Sequence, residues 1–174
     1  IDVNEQEGCF VVKGLVGLPR EVGSRILGYP VLGVDEDLPA LLGDCANALI
    51  AVGQIKTPEP RTRLFGLMQN NSCTLPVIVS PHAYVSPHST LGAGTIVMHG
   101  AIINAGAVVG KSCIVNSQAL VEHDVVIADH CHVATSATIN SGVRIGAGTF
   151  IGSNSSVRQS INIGERCLIG MGQQ

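Results

Sequence analysis

Every sixth residue from Val79 through Val97, Val115, Val133 and Ile151 to Ile169 is aliphatic, sixteen positions in succession without a slip of register. A period of six does not fit an amphipathic helix, whose apolar residues recur every three or four positions, and it outlasts any single strand. Two residues before each aliphatic position the side chain is Ala, Ser, Thr or Cys in twelve of the sixteen cases. Alternation by two puts that small residue on the same face as the aliphatic one. The unit is therefore a short strand with two inward positions and a tight corner, and three such units close a triangular coil of about 18 residues. The sixteen repeats make about five stacked coils. Gly or Asn directly follows the aliphatic residue in nine repeats, among them Gly92, Asn104, Gly110, Asn116, Gly146 and Gly152. These are the residues that accept a positive φ, which places the turn there. Cys113, Cys131 and Cys167 fall in the small inward slot and serve as packing atoms.

Residues 1–75 carry no such period. Phe10–Val16 and Ala48–Val52 have the length and β-branched content of strands, Asp35–Leu42 reads as a short helix opened by acidic residues, and Pro60–Met68 carries a stripe of Leu64, Phe65, Leu67 and Met68. Strands alternating with helices predict a small parallel sheet, with a ligand at the carboxyl ends of its strands near Gly17 and Gly53. The chain thus divides into 1–75, small and α/β, and 76–174, mainly β. It opens at Ile1 and stops at Gln174 in mid-pattern, so both ends read as cuts in a longer protein.

Composition narrows the function classes. Charged residues are 13% and the net charge is −3, with no run of Lys or Arg to neutralise a phosphate backbone, so nucleic acid is not the expected partner. No stretch approaches the roughly 18 apolar residues of a membrane span. The six cysteines are scattered, with no CxxC pair, and read as free thiols in a cytoplasmic protein.

Against that charge-poor background, residues 121–132 (VEHDVVIADHCH) hold three histidines and three carboxylates. His123 stands at a corner two residues past Val121 and Asp124 follows it. An imidazole titrates near neutrality and can take a proton from an attacking amine or hydroxyl, and a carboxylate on its other nitrogen fixes the tautomer. About one coil further along the chain, Ser141 stands between Asn140 and Gly142 in a corner whose backbone N–H can face a developing oxyanion. Ser153 and Met171 share a column one coil apart, a ladder along which an acyl carrier arm can lie.

The repeat over residues 77–172 resembles the hexapeptide-repeat acyltransferases. That resemblance implies left-handed coils, assembly as a homotrimer and an acyl donor held between two prisms. The whole layout is similar to the bacterial sugar O- and N-acetyltransferases of the sialic acid, bacillosamine and perosamine pathways, in which a small Rossmann-like domain precedes the left-handed parallel β-helix. The segment Val121-Glu122-His123-Asp124 matches their IxHD or IEHE motif. The match implies His123 as general base and Asp124 as its partner. It places donor contacts to acetyl-CoA at His132, Ser141, Gly142, Ser153 and Met171, and acceptor contacts at Asn116 and the nucleotide-contacting Gly53. The expected reaction is acetyl transfer from acetyl-CoA to an amine or hydroxyl of a nucleotide-linked sugar, with no metal required. The sequence departs from the family in having Ser at position 141, where bacillosamine-type members have Gly. It also has Val16-Gly17-Leu18-Pro19 where acidic residues usually follow a strand. Two other readings stand beside this one. The first is a noncatalytic trimeric assembly module. The second is a zinc enzyme of the β-helical carbonic-anhydrase kind using His123, His130 and His132, whose spacing does not resemble that family's paired ligands.

Overall fold

A computed structural model describes residues 1–43 and 47–174 of the chain. From Ile78 onward the chain forms two-residue strands in three parallel sheets. Sheet one carries Ile78–Val79, Ile96–Val97, Ile114–Val115, His132–Val133, Phe150–Ile151 and Leu168–Ile169. Sheet two carries Tyr84–Val85, Ile102–Ile103, Leu120–Val121, Thr138–Ile139 and Ser156–Val157. Sheet three carries Thr90–Leu91, Val108–Val109, Val126–Ile127, Arg144–Ile145 and Asn162–Ile163. Every pairing joins residues 18 apart, as in Ile114↔His132, Leu120↔Thr138 and Val126↔Arg144. The chain therefore winds as a three-sided prism in which each residue stacks on its counterpart in the next coil.

The inward aliphatic residues make the core. Val97, Ile103, Val115, Val121, Ile139 and Ile151 are fully buried, as are the small inward residues Ala101, Ala107, Cys113, Ala119 and Ala137. Along one edge the small slot is also polar and each side chain caps a carbonyl of the coil above. Thr95 Oγ1 donates to Gly110 O (2.7 Å), Cys113 Sγ to Ala128 O (3.2 Å), Cys131 Sγ to Gly146 O (3.2 Å) and Thr149 Oγ1 to Gly164 O (2.8 Å). Contact with Cys131 and enclosure in the core push the Cys113 thiol well above its ordinary range, so it stays a protonated donor.

The corner turns sit elsewhere than the sequence pattern predicts. Positive φ occurs three residues past the aliphatic position, at Gly94, Gly100, Gly106, Ser112, Gln118, Asp124, His130 and Ser136 in turn. Of the glycines directly after the aliphatic residue, Gly92, Gly110, Gly146 and Gly152 serve a different need, the close approach of coils. A Cβ on Gly146 would lie 2.5 Å from Glu165 N and 2.6 Å from Gly164 C, and one on Gly92 would lie 2.5 Å from Gly110 C.

In the first part of the chain, Leu15–Val16 pairs parallel with Tyr29–Gly33, which pairs antiparallel with Arg25–Ile26. The sheet is small, and two expected strands do not form in full. Between Phe10 and Gly14 the backbone is not in the sheet, and Phe10 exchanges both its backbone hydrogen bonds with the Asn4 amide at 2.8 Å. Ala48–Val52 forms no strand because Arg61 Nη1 takes the carbonyls of Ile50 (2.9 Å) and Val52 (2.7 Å). The expected helix over Asp35–Leu42 appears as a 3₁₀ turn, Asp35–Asp37, running into an α-helix, Leu38–Leu42. The Pro60 stripe lies on the α-helix Glu59–Asn70, whose buried residues are Arg61, Leu64, Phe65 and Met68. Leu67 is only half-buried.

That helix runs along the prism edge between sheets three and one. Phe65 lies against Gly94 and His130, Arg61 bonds Ser112, Pro58 packs on Gly148, and Glu59 pairs with Arg166. Among the described residues nothing covers the other two edges or the outer faces of sheets two and three, where Tyr84, Ile102 and Val108 are exposed.

Because backbone closeness fixes the Gly146 position, Gly146→Ala is expected to cost about 1–3 kcal/mol. Gly164→Ala, whose Cβ would meet nothing nearer than Cys167 Sγ at 3.6 Å, is expected to cost under about 0.5 kcal/mol. Denaturant unfolding of the two variants checks this; equal stabilities would contradict it.

Candidate active site

His123 and Asp124 occupy the edge between sheets two and three, in the corner after Leu120–Val121. Two backbone bonds pin the corner in the stack, Asp124 N–H to Ala105 O below (3.1 Å) and Gly142 N–H to His123 O above (3.1 Å). Asp124 adopts φ 60°, a conformation its short polar side chain tolerates. Its Oδ2 lies 2.9 Å from His123 Nδ1, with the two side chains 58% and 72% exposed. The carboxylate thus holds Nδ1, and the ring's other nitrogen carries the lone pair. Glu122 Oε2 accepts from Asn104 Nδ2 (3.0 Å) and from the His123 N–H (3.3 Å), tying the base's own backbone to the coil below.

Ser141 stands in the coil directly above His123. Its carbonyl accepts from Ser160 N–H (3.0 Å), while among the described residues its own N–H has no acceptor. The neighbouring Gly142 N–H is occupied by His123 O, so of these two amides Ser141 alone is available to a ligand. Ser153 and Met171 lie on the other edge of sheet two, stacked through Gly172 N–H to Ser153 O at 2.9 Å. Met171 is 73% exposed.

His132, Asn116 and Gly53 form a separate group on the sheet-one side. His132 is buried, its Nδ1 lies 2.5 Å from Gln54 O and its Nε2 3.3 Å from Asn116 Nδ2. Gln54 follows the exposed Gly53, and its Nε2 donates to His130 O at 2.8 Å. The expected residues therefore fall into three places on one chain: the His123 edge, the Ser153–Met171 edge, and the Gly53–His132 junction. His123, His130 and His132, the imagined zinc ligands, do not converge, since His123 lies at one edge, His130 at another and His132 within sheet one. Among the described residues no group of three or more His, Cys, Asp or Glu is arranged to hold a metal ion.

Three structural features near the candidate site carry no signal in the sequence pattern. Arg61 is fully buried and, among the described residues, bonds only carbonyls and Ser112 Oγ; its helical spacing to Leu64 and Phe65 marked the position, but nothing marked a buried cation. Gln54 joins the segment 48–54 to the prism. The acidic residues sought after Val16 instead follow the parallel strand Tyr29–Gly33, as Asp35, Glu36 and Asp37, with Asp35 paired to Arg63.

The hexapeptide repeat of succinyl-transferase matches residues 142–173. No curated protein sequence matches the chain. Among solved structures the chain is similar to the acetyltransferase domain of PglB from Neisseria gonorrhoeae, at 26% identity and TM-score 0.87, over 98% of this chain and 82% of that one. It is similar to a variant of perosamine N-acetyltransferase from Caulobacter crescentus, solved with CoA and GDP-perosamine. There the identity is 31% and the TM-score 0.81, over 86% of this chain and 71% of that one. WeeI from Acinetobacter baumannii shares the fold at 20% identity, TM-score 0.69, over 92% and 85% of the two chains. The chain belongs to the hexapeptide-repeat sugar acetyltransferases.

In this acetyltransferase burial favours the neutral forms of the two histidines at the junction. Burial pulls the His132 imidazole below its ordinary value, with Arg61 adding to the effect and the Gln54 carbonyl opposing it. Burial also lowers His130, whose ring meets Phe65 edge-on at 5.2 Å, while Asp129 works against the shift and Arg61 and Lys111 reinforce it. Arg61 is itself lowered by burial. Both histidines are thus neutral when folded, whereas the unfolded chain takes up protons near the ordinary imidazole value of about 6.5. The unfolded state binds more protons in that window, so stability is complete above it and is lost as pH falls through the folded values. Denaturant unfolding between about pH 7.5 and 5 is expected to show this decline, and His130→Asn/His132→Asn is expected to flatten it. A slope unchanged by the double substitution would contradict the assignment.

Proposed function

We propose that the chain transfers the acetyl group of acetyl-CoA to an amine or hydroxyl of a nucleotide-linked sugar, with His123 as general base. The observation that carries this reading is the His123 Nδ1–Asp124 Oδ2 pair at 2.9 Å beneath the Ser141 N–H, which has no acceptor among the described residues, on a prism of this family. Similarity to a perosamine N-acetyltransferase solved with CoA and GDP-perosamine, and to a PglB acetyltransferase domain solved with acetyl-CoA, supports the donor and the acceptor class.

With Nδ1–H donated to Asp124, Nε2 takes the proton of the acceptor amine or hydroxyl as its lone pair attacks the thioester carbonyl. The Ser141 N–H stabilises the oxyanion that forms. Collapse breaks the C–S bond, and the imidazolium returns the proton to the departing CoA sulfur. Gly142, Ser153, Met171 and His132 make up the remaining donor contacts. Gly53 and Asn116 meet the acceptor, and its nucleotide lies at the carboxyl ends of Leu15–Val16 and Tyr29–Gly33 in a Rossmann-like site.

The prism is left-handed and assembles as a homotrimer. A 58% exposed imidazole lacks the dry wall a base needs, and the Gly53–His132 group lies on a different side of the same chain. Packing the His123 edge of one protomer against a neighbour supplies the wall and brings the separated groups together. The free thiols Cys113, Cys131 and Cys167 suit the reducing cytoplasm, where we place the enzyme. Among the described residues no helix is long and apolar enough to cross a membrane.

His123→Ala is expected to lower kcat by about 10²–10⁴-fold, with acetyl-CoA still raising the melting temperature as it does for the parent. Thiol release from acetyl-CoA, screened against nucleotide-linked amino sugars, measures it; an undiminished rate would remove His123 from the mechanism.

A further inference from the structure

The Asp124 side chain lies directly over Gly106 in the coil beneath it. The corner column that holds Asp124 has Gly106 one coil below and Gly142 one coil above, all with positive φ (73°, 60° and 69° for 106, 124 and 142). This turn does not itself require glycine, because Ser112, Gln118, His130, Asn154 and Arg166 occupy the equivalent corner position elsewhere on the prism. What marks Gly106 is the space above it. A Cβ there would lie 2.4 Å from Asp124 Oδ1 and 3.4 Å from its Cγ, whereas a Cβ on Gly142 would meet nothing nearer than Ser160 Oγ at 3.6 Å. The Asp124 side chain is 72% exposed and therefore has solvent to turn into if it is pushed. In its present rotamer, laid down over Gly106, the side chain brings Oδ2 to His123 Nδ1.

We propose that Gly106 is a positioning residue for the reaction, the gap that keeps the Asp124 carboxylate turned onto His123. The inference rests on the reading of His123 as base. Filling the gap with one methyl group swings the carboxylate outward, leaves Nδ1 without its acceptor and frees the imidazole to take the unproductive tautomer.

The test compares His123→Ala, Gly106→Ala, Asp124→Ala and Gly106→Ala/Asp124→Ala, with Gly100→Ala as the control for backbone strain. Gly100 has φ 69° in the same kind of corner, and its Cβ would meet the flexible Gln118 Cγ at 3.3 Å and the Gln118 backbone no nearer than 3.9 Å. Gly106→Ala is expected to lower kcat roughly tenfold to a hundredfold with KM for acetyl-CoA unchanged. The kcat/KM–pH profile of Gly106→Ala should coincide with that of Asp124→Ala. The double variant is expected to match Asp124→Ala within about twofold and Gly100→Ala to match the parent, since the pair acts as one unit. If Gly106→Ala folds poorly, the double variant should recover the melting temperature of Asp124→Ala, because the group the methyl strikes is then gone. A parental rate and pH profile for Gly106→Ala, a multiplicative further loss in the double variant, or no such recovery of melting would each overturn the proposal while leaving His123 as base. Full activity of His123→Ala would instead overturn the reading of the base.

Discussion

Stacking at an 18-residue interval is the constraint on which everything else in this chain depends. A two-residue strand is too short to be stable by itself, so each coil exists because the coils above and below satisfy its amides and bury its aliphatic residue. Ile114 N–H to Cys131 O, Val126 N–H to Val143 O and Leu120 N–H to Ala137 O, each 2.9 Å, are the same bond repeated around the prism. Because neighbours alone support neighbours, stability is nearly a sum of local contacts, as in other solenoids. A polar residue placed at a corner is then held by the ladder without needing a packed pocket of its own. That is how His123 and Asp124 can be well positioned and still exposed.

The same regularity creates the functional problem the chain has to solve. A prism of flat sheets has no concavity, and its chemistry must be gathered at edges. One edge is taken by the helix Glu59–Asn70, fastened by a buried cation whose Nη atoms hold two carbonyls of the segment 48–54 and Ser112. Through Gln54 that segment reaches His132, so the loop carrying Gly53 and the face carrying Asn116 are mechanically one piece. The edge with His123 is bare on both flanks. In our reading the two kinds of edge meet between protomers, which gives the base a wall and the acceptor a seat.

The β-helix was legible to the residue, because alternation and a six-step cadence report which side chains face inward, and burial follows directly. The location of positive φ was not legible, since Gly directly after the aliphatic residue answers to crowding between coils, whereas Gln118, His130 and Arg166 adopt the left-handed turn despite their side chains. In the first part of the chain, strand-like composition misled at Ala48–Val52 because its carbonyls are claimed by Arg61, eleven and nine residues further on. No local pattern announces such a partner. The His123–Asp124 pair was readable because adjacent residues at a corner are bound to be near each other. The enclosure of His132 beneath Gln54, 78 residues distant in sequence, was not.

The central claim is that the His123 edge, closed by a second protomer, is where the acetyl group is transferred. A crystal structure of the assembled protein with an unreactive ketone analogue of acetyl-CoA, its thioester sulfur replaced by a methylene, tests it most directly. The account predicts the analogue's carbonyl oxygen accepting from the Ser141 N–H, with His123 Nε2 facing the acceptor's approach and a neighbouring chain completing the wall. An analogue bound away from that edge, or His123 open to solvent in the assembly, would contradict it.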